Sequence, residues 1–199
     1  FRHSDVPKYE QLGAERAMLL RHHYLPWLHR RLDLRDADRA FWASDIGFFG
    51  HCEPDIRLEQ MATLMRQVPA KYRLHGSNWN KYSRGRPWRE MDTYEIQGEE
   101  YVKAINATKI ALCFLSQYYN LDTYTTRCFE IPACGTMMLS QRTDDLLTLY
   151  DEDKQAVYFG SADELVDKAR FYLRNDAARQ RVAEAGWQRC TTSGYDIYS

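Results

Sequence analysis

The sequence lacks the features that mark metal-binding, secreted and membrane proteins. No Cys-x-x-Cys pair occurs, and no histidine lies at zinc-ligand spacing from a cysteine. No apolar run approaches the ~20 residues that a membrane span needs, and the first residues, FRHSDVPKYEQ, contain no apolar centre of a signal peptide. We therefore expect a soluble cytoplasmic protein without a membrane span and with reduced thiols. The thiols are those of Cys52, Cys113, Cys128, Cys134 and Cys190.

A strong excess of one charge is also missing. The 27 basic and 28 acidic residues leave a formal charge of −1, so any site for a polyanion must be local. The 199 residues, 44% of them hydrophobic, are enough for the core of one α/β domain. The chain has no initiator methionine and ends at GYDIYS, which suggests a piece of a longer protein.

Strand and helix patterns alternate from residue 45 onward. The predicted strands are WASDIGFFGH, KYRLHGSNW, KIALCFLS, TMMLSQ and AVYFGS. The predicted helices are PDIRLEQMATLMRQV, GEEYVKAINAT, a segment beginning near Arg127, ADELVDKARFYLRN and DAARQRVAEAGWQRC. Because KIALCFLS is continuously apolar, it predicts a strand buried on both faces, as in a parallel sheet. The pattern predicts an α/β fold with a Rossmann-like doubly wound parallel sheet.

The first forty residues have a different pattern. Residues 8–32 show helical spacing that is broken at Pro26, and DLRDADRA has the composition of a polar turn or linker. We therefore predict a helical N-terminal segment and linker at residues 1–40, the Rossmann-like domain at 41–190 and a tail at 191–199.

One carboxylate stands out in the apolar stretch TTRCFEIPACGTMML. Glu130 lies between Phe129 and Ile131, and burying an unpaired carboxylate costs several kcal/mol, so it needs a partner or a function. In a parallel sheet, ligands bind beyond the carboxyl ends of the strands. The segment from KIALCFLS through NLDTYTT leads there and enters a helix whose first N–H groups suit a phosphate. Glu130, one turn later, suits a ribose diol, although an i,i+3 pair with Arg127 would also explain it.

The residues around Glu130 resemble a known signature. TRCFEIPACGTMML is similar to the R-x-FE-x-x-x-CG-x-x-L pattern of CgeB-like glycosyltransferases and, more distantly, to the E-x-x-x-x-G-x-P segment of GT-B glycosyltransferases. The likeness continues in order over roughly residues 45 to 190. Its further segments are DIGFFGH, DIRLEQMATL, LHGSNW, GEEYVKAINATKIALCFL and ADELVDKARFYLRNDAARQRVAEAG. It implies one GT-B half-domain, the C-terminal half that binds the donor.

The resemblance implies roles for the residues around this helix start. Glu130 would bind the donor ribose. Asp122 holds the place of an acidic residue, usually glutamate, that touches the donor sugar in related retaining transferases. Thr125 and Thr126 would line the diphosphate with backbone N–H groups. Arg127 would help them and, with Asp122, carry the catalysis.

The other implied positions lie in the turns after the first two strands and before GEEYVKAINAT. Many GT-B enzymes place an arginine and a lysine for the diphosphate after the first strand. This chain has His51 and Arg57 there, of which Arg57 is preferred because its charge does not depend on pH. Gly50 and Gly76 form the adjoining tight turns. The family's backbone commonly meets the base at the positions of Tyr94, Glu95 and Ile96.

The implied reaction is transfer of a sugar from a nucleoside-diphosphate sugar to an acceptor, with retention of configuration. Cationic and N–H donors that stabilise the departing diphosphate supply much of such catalysis, so we expect no metal or other cofactor. The expected partners are the nucleotide-sugar donor, an acceptor that the sequence does not identify, and an N-terminal GT-B half that is missing from this chain or supplied elsewhere.

Ordinary structural explanations stay open for these residues. Asp122, Thr125 and Thr126 are common loop and N-cap types, and the glycines suit any tight turn. His51 suits a solvated turn, and Arg57 suits the start of an exposed helix face. The pairs Asp36/Asp38 and Asp151/Asp153 suit solvated turns better than metal sites.

Two other functions also stay open. A non-catalytic nucleotide-binding module would keep the fold without turnover. Residues 71–89 contain six basic side chains, no acidic ones and interleaved aromatics, as phosphate contact plus base stacking requires. This segment therefore leaves nucleic acid as an alternative partner, next to a solvated loop with buried aromatics.

Overall fold

A parallel five-stranded sheet forms the centre of the molecule. The computed structural model describes residues 5–18, 20–117 and 122–199. The strands are β1 (Ser44–Phe49), β2 (Tyr72–His75), β3 (Thr108–Cys113), β4 (Met137–Gln141) and β5 (Val157–Phe159), in the order β2-β1-β3-β4-β5. All neighbouring strands pair in parallel. The strand order reverses between β1 and β3, which is where doubly wound sheets bind their ligands.

Helices cover both faces of the sheet and bury two apolar clusters. Helix α1 (Val6–Gln11) has no buried residue and belongs to neither cluster. The helices that bury side chains are α2 (Asp36–Trp42), α3 (Arg57–Gln67), α4 (Gly98–Asn106), α5 (Arg127–Ala133), α6 (Asp144–Leu149), α7 (Ala162–Arg174) and α8 (Asp176–Thr192). Side chains of α4 and α5 fill one cluster, and those of α3 and α7 fill the other. Ile110, Ala111, Leu112 and Cys113 of β3 are 0% exposed, as expected for a strand covered on both faces. The predicted Rossmann-like fold is confirmed.

The N-terminal region differs from its prediction. Within residues 12–18 and 20–35 the structure contains no helix, although the apolar spacing predicted one. Tyr24 instead forms a parallel bridge with Asp196, and the His29 ring accepts a hydrogen bond from the Leu25 N–H. The apolar side chains of this segment therefore pack against the rest of the chain from irregular backbone, because tertiary contacts override a weak helical preference.

Two short helices were not predicted. The polar stretch DLRDADRA contributes to α2, which carries Asp36 and Asp38 in its first turn and buries Trp42 at its end. Helix α6 begins after Thr143, whose side chain accepts a hydrogen bond from the Leu146 N–H. Acidic residues near a helix N-terminus stabilise it, so the acidic composition of a polar turn also suits the first turn of a short helix. No helix in the described residues is long and apolar enough to cross a membrane.

The turn after β2 packs tightly against the turn after β1. Gly76 has a φ of 143°, and a Cβ atom built on it would lie 2.2 Å from the carbonyl oxygen of Gly50. Only glycine permits this backbone conformation together with such a close approach. The two turns therefore form one rigid corner at the carboxyl ends of the strands.

Gly76→Ala is expected to lower the free energy of unfolding by about 2 kcal/mol or more, because it combines backbone strain with a clash. Equilibrium urea unfolding measures this loss. Gly85→Ala is the matched control, since Gly85 also has a positive φ, of 69°, but nothing within 4 Å of its Cβ position. Equal losses in the two variants would show that the contact with Gly50 is unimportant.

Candidate functional site

A cleft of about 220 Å³ opens at the carboxyl ends of β1 and β2, beside the start of α4. It brings together Gly50, His51, Gly76, Glu95 and Ile96, which the sequence placed in separate loops. Its complete lining is Phe49, Gly50, His51, His75, Gly76, Ser77, Glu95, Ile96, Gln97 and Tyr101. A larger cavity of about 460 Å³ lies between residues 27–35 and α4. The cleft is the stronger candidate because it lies at the strand ends, where this fold class binds ligands.

Glu130 lies directly behind one wall of this cleft. Its side chain is 15% exposed, and its Oε2 accepts a hydrogen bond of 2.6 Å from the hydroxyl of Tyr101, which lines the cleft. Burial, together with the charge of Glu130, holds the pKa of Tyr101 well above its usual value, so the hydroxyl keeps its proton and donates. The carboxylate therefore has a partner, and only the Tyr101 side chain that it binds is known to lie between it and the cleft.

His29 is the second neighbour of Glu130. Its Nε2 lies 3.7 Å from Glu130 Oε1, and its Nδ1 accepts the backbone N–H of Leu25 at 3.0 Å. Burial lowers the pKa of His29, so the ring is neutral and carries its hydrogen on Nε2, facing the carboxylate. The N-terminal segment thus supplies a neighbour of Glu130, which lies more than one hundred positions later in the sequence.

Arg127 lies against the turn after β1. Its Nη2 donates to the carbonyl oxygen of Phe114 at 3.1 Å, and its guanidinium carbon lies 5.4 Å from the centre of the Phe48 ring. A Cβ atom on Gly50 would lie only 2.8 Å from Arg127 Nη1. The Nε atom is buried and has no hydrogen-bond partner in the described part of the chain. Arg127 and Glu130 form no ion pair, so the alternative of a simple i,i+3 pair is wrong.

The remaining predicted residues of this helix start lie outside the cleft lining. The Thr125 N–H contacts the Cys128 sulfur at 3.5 Å, and Thr126 is an exposed N-cap residue whose side chain forms no capping hydrogen bond. The N–H of Asp122 donates to the Ser116 carbonyl at 3.0 Å, and residues 118–121 of this loop lie outside the described residues. The roles of Asp122, Thr125 and Thr126 stay predictions.

Arg57 does not occupy the position that the sequence predicted. Its side chain is 2% exposed, and its guanidinium donates to Asp55 Oδ1, Glu53 Oε2 and the His51 carbonyl at 2.9–3.0 Å. Ser116 Oγ donates to the same Glu53 carboxylate at 2.7 Å, which joins the loops after β1 and β3. This corrects the expectation that Arg57 faces a diphosphate, since its guanidinium is buried and bonded to acceptors of the protein itself. Its function in this arrangement is to hold the two loops together.

His51 is the basic residue of this turn that faces the cleft. Its side chain is 53% exposed, and its Nε2 lies 2.6 Å from Glu53 Oε1. Because Glu53 is buried and bonded to Arg57 and Ser116 as well, it fixes the orientation of the His51 ring. His51 is therefore available at the cleft, whereas Arg57 is not.

The segment before α4 is fixed to the corner at Gly76. The carbonyl oxygen of Tyr94 accepts from the Gly76 N–H at 3.1 Å and contacts His75 Nδ1 at 3.2 Å. Ile96 and Glu95 then line the cleft, while Tyr94 contributes its backbone and a ring packed edge-on against His75. The structure thus brings this segment to the turns after β1 and β2.

Sequence inspection missed four residues that the structure brings to this region, namely His29, Glu53, His75 and Tyr101. Each lies in a segment that was assigned to secondary structure or a turn. His75 and Tyr101 lie in two further segments of the family likeness, LHGSNW and GEEYVKAINATKIALCFL, but none of the four is part of the signature around Glu130. Their importance comes from contacts across the fold, such as that of Tyr101 with Glu130, 29 positions away. A tyrosine in the first turns of a helix beside a strand end was the only sequence signal for this contact.

The basic and aromatic segment at residues 71–89 has no stacking surface for bases at its tryptophans. Trp79 is 1% exposed and Trp88 is 0% exposed, and their rings pack edge to face with centres 5.3 Å apart. Trp79 Nε1 donates to the Gly50 carbonyl at 3.0 Å. These aromatics support the turn after β1 from the core, which corrects the prediction of base stacking for them.

One aspartate of each Asp-x-Asp pair forms ion pairs with basic side chains. Asp38 contacts Arg35 and Lys103, and Asp153 contacts Lys168 at 2.7 Å. Among the residues that the structure describes, no three His, Cys, Asp or Glu side chains are grouped so that they would hold a metal ion.

Several solved structures have the same fold. The C-terminal domain of the glycosyl transferase group 1 family protein LpcC from Francisella tularensis has a TM-score of 0.65 at 11% identity, covering 87% of this chain and 99% of that domain. Anabaena Alr3699/HepE in complex with UDP-glucose has a TM-score of 0.74 at 10% identity, covering 98% of this chain. Sucrose-phosphate synthase from Thermosynechococcus elongatus has a TM-score of 0.67 at 14% identity, covering 96% of this chain. This chain spans only 58% of HepE and 52% of the synthase.

Comparison by sequence gives the family. No curated protein matches the chain. A family model described as glycosyl transferase-like matches residues 57–197, which includes β2 to β5, the cleft residues from His75 onward and Glu130. This match covers well over half of the sequence, and the chain therefore belongs to the glycosyl transferase-like family.

Proposed function

We propose that this chain is the donor-binding half of a GT-B glycosyltransferase of the CgeB-like type, and that its cleft binds the nucleotide of a UDP-sugar. One observation carries the proposal: a cleft at the strand ends has Glu130 directly behind its wall, linked to it by Tyr101. Uridine is proposed as the nucleoside because HepE, which has the same fold, binds UDP-glucose.

In this proposal Glu130 binds the ribose. Each carboxylate oxygen can accept about two hydrogen bonds, and in this structure Oε2 accepts one from Tyr101 while Oε1 lies 3.7 Å from His29 Nε2. The carboxylate therefore has capacity for the two hydroxyls of a ribose diol. Charge-assisted bonds of this kind are stronger than neutral ones, which makes Glu130 the principal anchor of the nucleoside.

The diphosphate would lie between the turn after β1 and the start of α5. His51 is exposed at the cleft, and the Arg127 guanidinium lies against Gly50 of the same turn. Both side chains, with the N–H groups of Thr125 and Thr126, would stabilise the negative charge of the departing diphosphate. We propose that this stabilisation replaces a metal ion, and that transfer proceeds with retention, with Asp122 beside the donor sugar.

The acceptor side would come from an N-terminal GT-B half. The chain spans little more than half of HepE and of sucrose-phosphate synthase, so part of a comparable whole enzyme has no counterpart in this sequence. Donor binding is accordingly the activity that this chain is proposed to carry by itself, and binding is the appropriate measurement.

UDP at a hundredfold excess over its dissociation constant is expected to add about 2.7 kcal/mol to the stability of the chain, which raises the melting temperature by roughly 5 to 10 °C. A thermal-shift titration with UDP and UDP-glucose measures this. Glu59→Gln is the matched control for substitution of Glu130. Glu59 is an exposed carboxylate on α3 that pairs with Arg86 and lies outside the cleft lining. This control variant should retain the full shift, and the absence of a shift in the unmodified chain would contradict the proposed function.

A further inference from the structure

His75 has a buried acceptor atom whose partner is not found within the protein. Its side chain is 2% exposed, and its Nε2 has no hydrogen-bond partner among the residues that the structure describes. Nδ1 contacts the Tyr94 carbonyl oxygen, which can only accept, so the ring carries a hydrogen on Nδ1. Burial lowers the pKa of His75, which keeps the ring neutral and leaves Nε2 as an acceptor. A buried acceptor without a partner is costly, and each such atom requires an explanation.

The surroundings of His75 fix its ring at the cleft. His75 and Phe49 are register partners on β2 and β1, and their rings stack at an interplanar angle of 8° with centres 6.1 Å apart. The rings of Trp42 and Tyr94 pack against it edge-on. His75 also lines the cleft together with Ile96, close to the predicted position of the base. The acceptor therefore belongs to a rigid aromatic group at the end of the site where the base would lie.

We propose that His75 Nε2 accepts a hydrogen bond from the ring N–H of the donor's base, which makes His75 a specificity-determining residue for uracil over cytosine. The inference rests on the proposed function, because it concerns the base of the same nucleotide. Uracil carries a hydrogen on N3, which satisfies the acceptor. Cytosine has a lone pair at N3, so its N3 and His75 Nε2 would face each other as two acceptors. The amino hydrogens of cytosine are on the C4 substituent and do not point along the N3 direction.

Three matched ligands test the proposal by isothermal titration calorimetry on the unmodified chain. UDP and CDP differ at N3 and C4 of the base, whereas N3-methyl-UDP keeps the uracil carbonyls and carries a methyl group in place of the N3 hydrogen. We expect UDP to bind about 5- to 100-fold more tightly than either CDP or N3-methyl-UDP, because those two ligands leave the buried acceptor unpaired. The methylated ligand needs no protein variant, so the test does not depend on the folding of a mutant.

Two variants then assign the effect to His75. His75→Phe keeps an aromatic ring without the acceptor and should reduce the preference for UDP over CDP to about twofold or less, mainly by weakening UDP. His75→Gln provides an amide oxygen and should restore part of the preference. Equal binding of UDP, CDP and N3-methyl-UDP would overturn this inference while leaving the proposed function standing. A preference for UDP that His75→Phe leaves unchanged would do the same, whereas failure of every nucleotide to bind would overturn both.

Discussion

Glu130→Gln is expected to lower the affinity of the chain for UDP by about 10- to 100-fold. Hydrogen bonds to a charged group contribute about 1.5–3 kcal/mol each, and the substitution removes the charge that the two ribose hydroxyls would meet. Glutamine has nearly the same size and keeps one oxygen that can accept the hydroxyl hydrogen of Tyr101. The fold should therefore persist, and the melting temperature without ligand reports whether it does. Calorimetric titration with UDP measures the affinity.

A ligand without the diol separates the ribose contact from indirect effects. With 2′,3′-dideoxy-UDP the unmodified chain should bind weakly, and Glu130→Gln should change that affinity by less than about twofold, because the contact is already lost. Tyr101→Phe is the companion variant, since it removes the donor to Glu130 Oε2 while keeping the ring that packs against Phe49. If Glu130→Gln weakened the dideoxy ligand as much as UDP, the carboxylate would be acting on the shape of the cleft, and the ribose assignment would be wrong.

The sheet was predictable because its signals are local. KIALCFLS is apolar at successive positions, which in a chain of alternating strands and helices identifies a central parallel strand, and β3 is buried as expected. The N-terminal segment was mispredicted because its helical spacing reflects side chains that pack on distant residues, such as Tyr24 beside Asp196. No local pattern contains that pairing. Helices α2 and α6, with seven and six residues, are too short to show a clear helical period.

The candidate site was predictable only as a region. Glu130 was identified because a carboxylate in an apolar stretch is unusual and because the surrounding signature resembles a family. Its contacts with Tyr101 and His29 depend on α4 and on irregular backbone near the N-terminus, which the sequence does not bring together. Arg57 was predicted to bind the diphosphate because contacts within its own turn were not considered. A permanent charge near a strand end suits a phosphate, but two nearby carboxylates of the same turn, Glu53 and Asp55, already neutralise it.

Arg57→Met is expected to lower the free energy of unfolding by about 3–5 kcal/mol, because removing one partner leaves buried charge without compensation. In this structure Glu53 and Asp55 would lose their guanidinium while their side chains are only 4% and 5% exposed. Equilibrium urea unfolding measures the loss. Arg86→Met is the matched control, since Arg86 pairs with a carboxylate that is 66% exposed, and its loss should cost less than about 1 kcal/mol.

A second substitution distinguishes structural support from ligand binding. Glu53→Gln combined with Arg57→Met removes one carboxylate as well as the guanidinium, so the double variant should be more stable than Arg57→Met alone. If Arg57 instead bound the diphosphate directly, Arg57→Met would weaken UDP with little change in unfolding, and Glu53→Gln would rescue nothing. The ion-pair network joins the loops after β1 and β3 through Ser116, beside the cleft that His51 lines. Arg57 therefore acts on the site indirectly, because it holds the loops after β1 and β3 in position.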